Sequence, residues 1–354
     1  MSRPRLSASG DSTGRASRIA LVPILRVLLL VAPWAFIAYL FRDVDAAVNA
    51  FRDASPAPMI AALLLMMLVL VVMAWLWTRL ISHFSRELGA ADRVLLLKAF
   101  ARSWLARYLP GKLWAYGARV IHTESSGVPT RLVASGLVAE TALVVGTTTA
   151  LGLGLWLWSI AGPAAGLTVL AIAWLALVLA VSRLGWLTAL ALRLLSNILS
   201  RRWEDTARRL QEDDPSLNLG ASAAFAGGYL LNNLIGAVAF VFVVLSLGDL
   251  DWGDLPLVMG GYSLAAVIGI VAIFAPAGLG VREAVLAGFL TPVVASPVAV
   301  SIAFLIRALT VLADVLFLGS VEIVALAARG QRKDRAAGDA GPEPVPTPSN
   351  RPPA

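Results

Sequence analysis

Arg107-Tyr108-Leu109-Pro110-Gly111-Lys112 and Phe274-Ala275-Pro276-Ala277-Gly278-Leu279-Gly280-Val281-Arg282-Glu283 are two short breaks in otherwise apolar sequence. Each sets proline and glycine where hydrophobic segments meet and then adds charge at once. In hydrocarbon an interrupted helix leaves backbone N–H and C=O groups without partners, so it persists only when buried in protein or facing a wet cavity. One such break in each half of a membrane chain is the usual pointer to a transporter's substrate site.

Outward from these breaks the chain is greasy. Mean hydropathy is +0.79, 58% of the 354 residues are hydrophobic and 14% are charged, against about 25% charged in soluble domains. Apolar runs long enough to cross a bilayer recur, so the fold class is all-α and polytopic in a membrane. Expected spans are 20–41, 58–81, 132–158, 161–181, 220–247 and 256–275, then a short broken piece at 282–294 and a long one at 298–328. That makes about eight membrane segments, with two inverted halves as a hypothesis. The stretch 93–120 is too polar to span cleanly and too hydrophobic for a loop, and reads as re-entrant or interfacial helices flanking Leu109-Pro110-Gly111. Trp75, Trp77, Trp156 and Trp158 fit interfacial belts.

The domains expected are a basic cytoplasmic segment over 1–18, a membrane domain over 19–328, and a disordered proline-rich cytoplasmic tail over 329–354. The N-terminus does not read as a cleavable signal. With both termini in the cytoplasm, all but five of the 29 basic residues fall on the inner side; the exceptions are Arg26, Arg42, Arg52, Arg282 and Arg307. This orientation fits a cell inner (plasma) membrane. The net charge of +7 then serves the anionic leaflet rather than nucleic acid, which is not expected as a partner. There are no cysteines and two histidines, His83 and His122, so no metal centre and no cofactor are expected.

The pair R-Y-L-P-G-K and P-A-G-L-G-V-R-E resembles the lysylphosphatidylglycerol synthase transmembrane-region family, also called flippase-like membrane proteins. The resemblance runs from about residue 20 to 328. The second motif is the more specific. At the first, the family often shows Gly-Gly after its proline, where this chain has Gly111 and Lys112. The family covers the lipid-flipping portion of bacterial aminoacyl-phosphatidylglycerol synthases and free-standing relatives, some linked with polyprenyl- or dolichyl-phosphate sugar pathways or hopanoid lipids. The large synthases carry a soluble domain after the membrane part; here a short polar tail follows, so aminoacylation is not expected.

The chemistry of the breaks points to an anion. Pro276 ends the incoming helix, while Gly278 and Gly280 permit unusual φ and close approach. A half-helix opening at Val281 presents free N–H groups and a favourable dipole, and Arg282 adds a full charge there. Glu283 either holds Arg282, neutralising it, or titrates in a coupled cycle. Arg107, Lys112 and Arg119 are the matching lipid-phosphate candidates at the first break, with Pro110 and Gly111 as the helix break. Lys98 and Arg102 read as headgroup anchors. Glu140 and Asp314 lie deep in apolar spans, with Arg307 two turns before Asp314 on the same face. Pairing among Glu140, Arg282, Arg307 and Asp314 is expected, because such charges face a partner or a wet cavity. Asn232 and Asn233 suit hydrogen bonds between helices.

The leading expectation is a lipid transporter, not an enzyme, whose partner is a membrane lipid with an anionic or phosphate-bearing headgroup. No G-x-x-x-x-G-K-[ST] occurs, so uphill movement needs an ion gradient, with Glu140, Glu283 or Asp314 as proton carriers. Two alternatives stay open. One is a glycosyl- or phosphotransferase holding a divalent cation at Asp43-Val44-Asp45 or Asp249-Leu250-Asp251. The other is a non-transporting partner of a lipid-modifying synthase.

Overall fold

The structure is a computed structural model that describes residues 49, 52–85, 89–105, 113–124, 128–183, 185, 217–272 and 280–339. Among these residues there are nine α-helices and no strand. They are α1 (Pro56–Phe84), α2 (Ala90–Leu105), α3 (Leu113–Glu124), α4 (Thr130–Ala161), α5 (Pro163–Val181), α6 (Leu219–Leu247), α7 (Leu255–Val271), α8 (Val281–Leu290) and α9 (Ser296–Asp339). A 3₁₀ turn, Trp252–Asp254, leads into α7. The expected span 20–41 and the segment 1–18 lie outside the described residues, as do residues 186–216.

Six of these helices are long and apolar enough to cross a bilayer: α1, α4, α5, α6, α7 with its leading turn, and α9 as far as Leu326. The chain is an integral, all-α membrane protein. α8 is different. Its 10 residues reach only about 15 Å, half of a hydrocarbon core of roughly 30 Å, so the helix by itself covers half of the crossing expected of the 282–294 piece. α9 also departs from expectation by running to Asp339, past the boundary at 328. The sequence 325–339 is rich in Ala and Arg and contains no proline before Pro342, so nothing local stops the helix.

α6 is the hub, packing against α1, α4, α5, α7 and α9. Its start is fixed by Asn218, whose side chain accepts the Ala221 N–H at 2.7 Å. Its middle is tied to α4, where Asn233 Nδ2 donates to Thr147 Oγ1 at 2.7 Å. α4 and α5 form a tight hairpin about Gly162, which has φ +87. A Cβ at Gly166 would sit 2.5 Å from the Gly154 carbonyl oxygen, so only glycine permits this approach. α5 is the most lipid-facing helix, with Leu167, Ile172, Leu175 and Leu179 exposed.

The two helices expected at 93–120 are α2 and α3, short and packed against each other. α2 packs against α1 and α9, and an aromatic cluster ties it to α9. Phe100 stacks on Trp104 at 5.2 Å and meets Phe317 edge-on at 6.4 Å. Trp104 Nε1 donates to Asp314 Oδ1 at 3.0 Å. Leu96, Phe100 and Ser103 are fully buried, so this face of α2 belongs to the protein core.

Candidate functional site: a cationic cavity

The helices that follow the two breaks converge on one cavity of about 290 Å³. α3 supplies Tyr116 and Arg119, α4 supplies Glu140, Thr141, Val144 and Val145, and α7 supplies Ala266, Gly269 and Ile270. Arg282 enters from the first turn of α8, Arg307 from α9, and Trp104 from α2. Among the described residues three cations and one carboxylate therefore share a cavity whose remaining walls, Thr141 apart, are apolar or aromatic. An arginine in hydrocarbon costs at least ~2.5 kcal/mol, so such a grouping is not indifferent packing.

Arg282 is positioned from two sides. Gly280 has φ +83, a conformation that glycine adopts without steric penalty, and it turns the chain into α8. Glu283 then bends back, and its Oε2 accepts the Gly280 N–H at 2.7 Å, capping the helix. That duty replaces the Arg282–Glu283 pair weighed from the sequence: among the described residues Arg282 has no carboxylate partner. Its guanidinium lies 5.2 Å from the centre of the Tyr262 ring, a cation–π contact. Opposite, a Cβ at Gly269 would be 3.0 Å from Arg282 Cβ. Gly269 thus clears the space that the arginine stem occupies.

Arg119 is held far more tightly. It is 5% exposed and sandwiched between the rings of Trp77 at 4.7 Å and Phe100 at 4.5 Å. Its Nε donates to Ser103 Oγ at 3.0 Å, and its Nη1 donates to Glu140 Oε2 in a buried ion pair. The partner of Glu140 is therefore Arg119, where the sequence suggested Arg282, Arg307 or Asp314. Removing either member of such a pair leaves an uncompensated buried charge. Glu140 Oε1, the Tyr229 hydroxyl and Trp77 Nε1 are buried and have no hydrogen-bond partner among the described residues.

The other expected residues sort as follows. Asp314, 2% exposed, accepts from Trp104 and anchors α2. Arg102 is bound to Glu322 of α9 through Nε at 2.6 Å and Nη2 at 3.1 Å, so it ties two helices together instead of projecting freely to a headgroup. Arg107, Pro110, Gly111, Lys112, Pro276 and Gly278 lie outside the described residues, as do Asp43 and Asp45. The described residues contain no group of three or more His, Cys, Asp or Glu able to hold a metal ion.

Sequence reasoning missed Trp77, Ser103, Tyr262 and Gly269. Trp75 and Trp77 both read as belt residues, yet two positions apart on a helix they point in different directions. Trp75 is 54% exposed while Trp77 is fully buried under Arg119. The signal available was that spacing. For Ser103, Tyr262 and Gly269 nothing local distinguishes them from packing residues, because their roles depend on which helix lies opposite.

No curated protein matches the chain. The family model described as the lysylphosphatidylglycerol synthase TM region matches residues 23–317, a stretch that contains both breaks and every described residue lining the cavity. The chain belongs to the lysylphosphatidylglycerol synthase transmembrane-region family.

Proposed function

We propose that this protein moves a lipid with an anionic, phosphate-bearing headgroup between the leaflets of the cell inner membrane, with both termini in the cytoplasm. The observation that carries the reading is the cavity in which Arg282 and Arg307 stand beside the Arg119–Glu140 pair. Arg282, with its cation–π seat and no carboxylate among the described residues, suits a phosphate by charge and by its planar fork. Volume argues the same way. About 290 Å³ is at the lower end of the roughly 300–1,000 Å³ that small-molecule sites offer, enough for a headgroup and far too little for a whole lipid. The tails stay in the bilayer while the headgroup crosses. Arg107 and Lys112, which the sequence also offers for a phosphate, lie outside the described residues.

Lipids carried through purification test this directly. Mass spectrometry of protein extracted in mild detergent should find a phosphate-headed lipid enriched over the bulk membrane, with the enrichment lost in Arg282→Ala. A bound-lipid profile equal to the bulk membrane in both proteins contradicts the reading.

A further inference from the structure

Three carboxylates were open as proton carriers from the sequence, and their contacts separate them. Glu283 is committed to the Gly280 N–H, and Asp314 accepts from Trp104. Glu140 alone among the acids of the described residues lines the cavity. It meets Arg119 through Oε2, and its Oε1 is buried without a hydrogen-bond partner among the described residues. Arg119 lines the same cavity and is itself almost wholly buried. An arginine keeps its charge at every accessible pH, so whatever balances Arg119 must be an anion.

We propose that Arg119 is shared between Glu140 and the headgroup phosphate, so that each anionic headgroup entering the cavity brings a proton onto Glu140. A phosphate oxygen that takes the guanidinium leaves Glu140 as an isolated carboxylate in a dry interior. That state is strongly unfavourable, and the carboxylate relieves it by binding a proton from the water that hydrates the entering headgroup. When the headgroup leaves, Arg119 returns to Glu140 and the proton is released. The step is a proton transfer alone: the O–H bond forms on Glu140 as a hydronium O–H breaks to leave water, or as a water O–H breaks to leave hydroxide that passes to the bulk, and the reverse follows on exit. Movement of a singly charged headgroup thereby becomes electroneutral. This inference deepens the proposed function and rests on the cavity being a phosphate site.

The surroundings of Glu140 support the exchange. Arg119 and Tyr116 face this region from α3, Arg282 and Arg307 line the same cavity, and Tyr229 of α6 is within electrostatic reach of both Glu140 and Arg119. From α1 the neighbour of the pair is the Trp77 ring; the titratable residues of that helix, Arg79 and His83, are engaged elsewhere, by Trp75 and by Phe84 and Phe225. α5 and α7 contain no charged residue. Among the described residues no second carboxylate is therefore placed to replace Glu140 on Arg119. The buried Tyr229 hydroxyl offers a polar contact for a protonated Glu140.

The test is proton uptake on binding. The purified full chain in weakly buffered neutral detergent is titrated with dihexanoyl phosphatidylglycerol in one arm and farnesyl phosphate in another, with dihexanoyl phosphatidylcholine as the zwitterionic control and a pH dye as readout. The expected result is a proton taken up with each anionic molecule bound, in whichever arm binds, and none with the control. Glu140→Gln should bind the same probe more tightly, on the order of tenfold, because the competing carboxylate is gone, and should take up no proton. Glu140→Asp, checked for fold by circular dichroism, keeps a titratable group with a weaker grip on Arg119 and should bind more tightly while still taking up a proton. Binding by the wild type without proton uptake overturns the coupling and leaves the phosphate site standing. Weaker binding in both variants likewise overturns it. Failure of both anionic probes to bind any of the proteins sinks the phosphate site and the coupling together.

Discussion

Arg282 depends on two neighbours that no motif announces. The Tyr262 ring seats its guanidinium, and Gly269 leaves room for its stem. Gly269→Ala sets a methyl group 3.0 Å from Arg282 Cβ, so it should displace the arginine and lower lipid movement several-fold while the protein still folds. Gly288→Ala on the same short helix meets nothing within 4 Å and should leave movement unchanged; exchanging an exposed helical Gly for Ala adds up to about 1 kcal/mol of helix propensity. Vesicle transport rates for the two variants, at matched protein levels, check the contrast. At this scale the sequence was half legible. P-A-G-L-G-V-R-E marks Arg282 as special and Gly280 as backbone-driven, and φ +83 at Gly280 agrees. Glu283 reads naturally as a partner for its neighbour, yet three residues after Gly280 it reaches back to cap the helix. Adjacency in sequence hid a contact set by helical geometry.

Among elements, α2 is the one whose docking matters most to the cavity, because Trp104 both lines it and bonds to Asp314 of α9. Trp104→Phe keeps the aromatic stack with Phe100 and removes the donor. It should destabilise the protein by about 1.5–3 kcal/mol, the contribution of a hydrogen bond to a charged group, read as a lower midpoint in thermal unfolding in detergent. Arg102→Ala breaks the Arg102–Glu322 pair, whose side chains are 46% and 35% exposed. Solvent screening limits that loss to under about 1 kcal/mol, so its midpoint should move much less. A larger shift for Arg102→Ala than for Trp104→Phe would mean that the exposed pair, and not the buried tryptophan, holds α2 in place. Element positions were largely readable: apolar runs predicted α1, α4, α5, α6 and α7 to within a few residues. The far end of α9 was not, since its charged last turns look like a tail until one notes that no proline interrupts them before Pro342.

Across the whole molecule, the arrangement follows from a membrane solvent that tolerates charge only where helices enclose it. Among the described residues six long helices build the wall, and the short α2, α3 and α8 bring polar side chains into it. The existence of a charged cavity was legible in the two breaks; its pairing was not, because Arg119–Glu140 joins residues 21 positions apart whose approach depends on how α3 folds back on α4. The basic bias predicts that compartment reporters fused after residues 50, 125, 205, 251 and 340 read outside, inside, inside, outside and inside; an inside C-terminus requires the connection between α7 and α9, to which α8 belongs, to carry the chain back across the bilayer, and an external C-terminus would contradict this topology. The central claim is that a lipid phosphate passes through the Arg282 cavity, and the most direct measurement is transbilayer movement of a fluorescent phosphatidylglycerol or polyprenyl phosphate in vesicles holding the purified protein. The account predicts movement by the wild type, loss to the protein-free rate in Arg282→Ala, and partial retention in Arg282→Lys, which keeps the charge and loses the planar fork. A folded Arg282→Ala protein that moves lipid at the wild-type rate would contradict it.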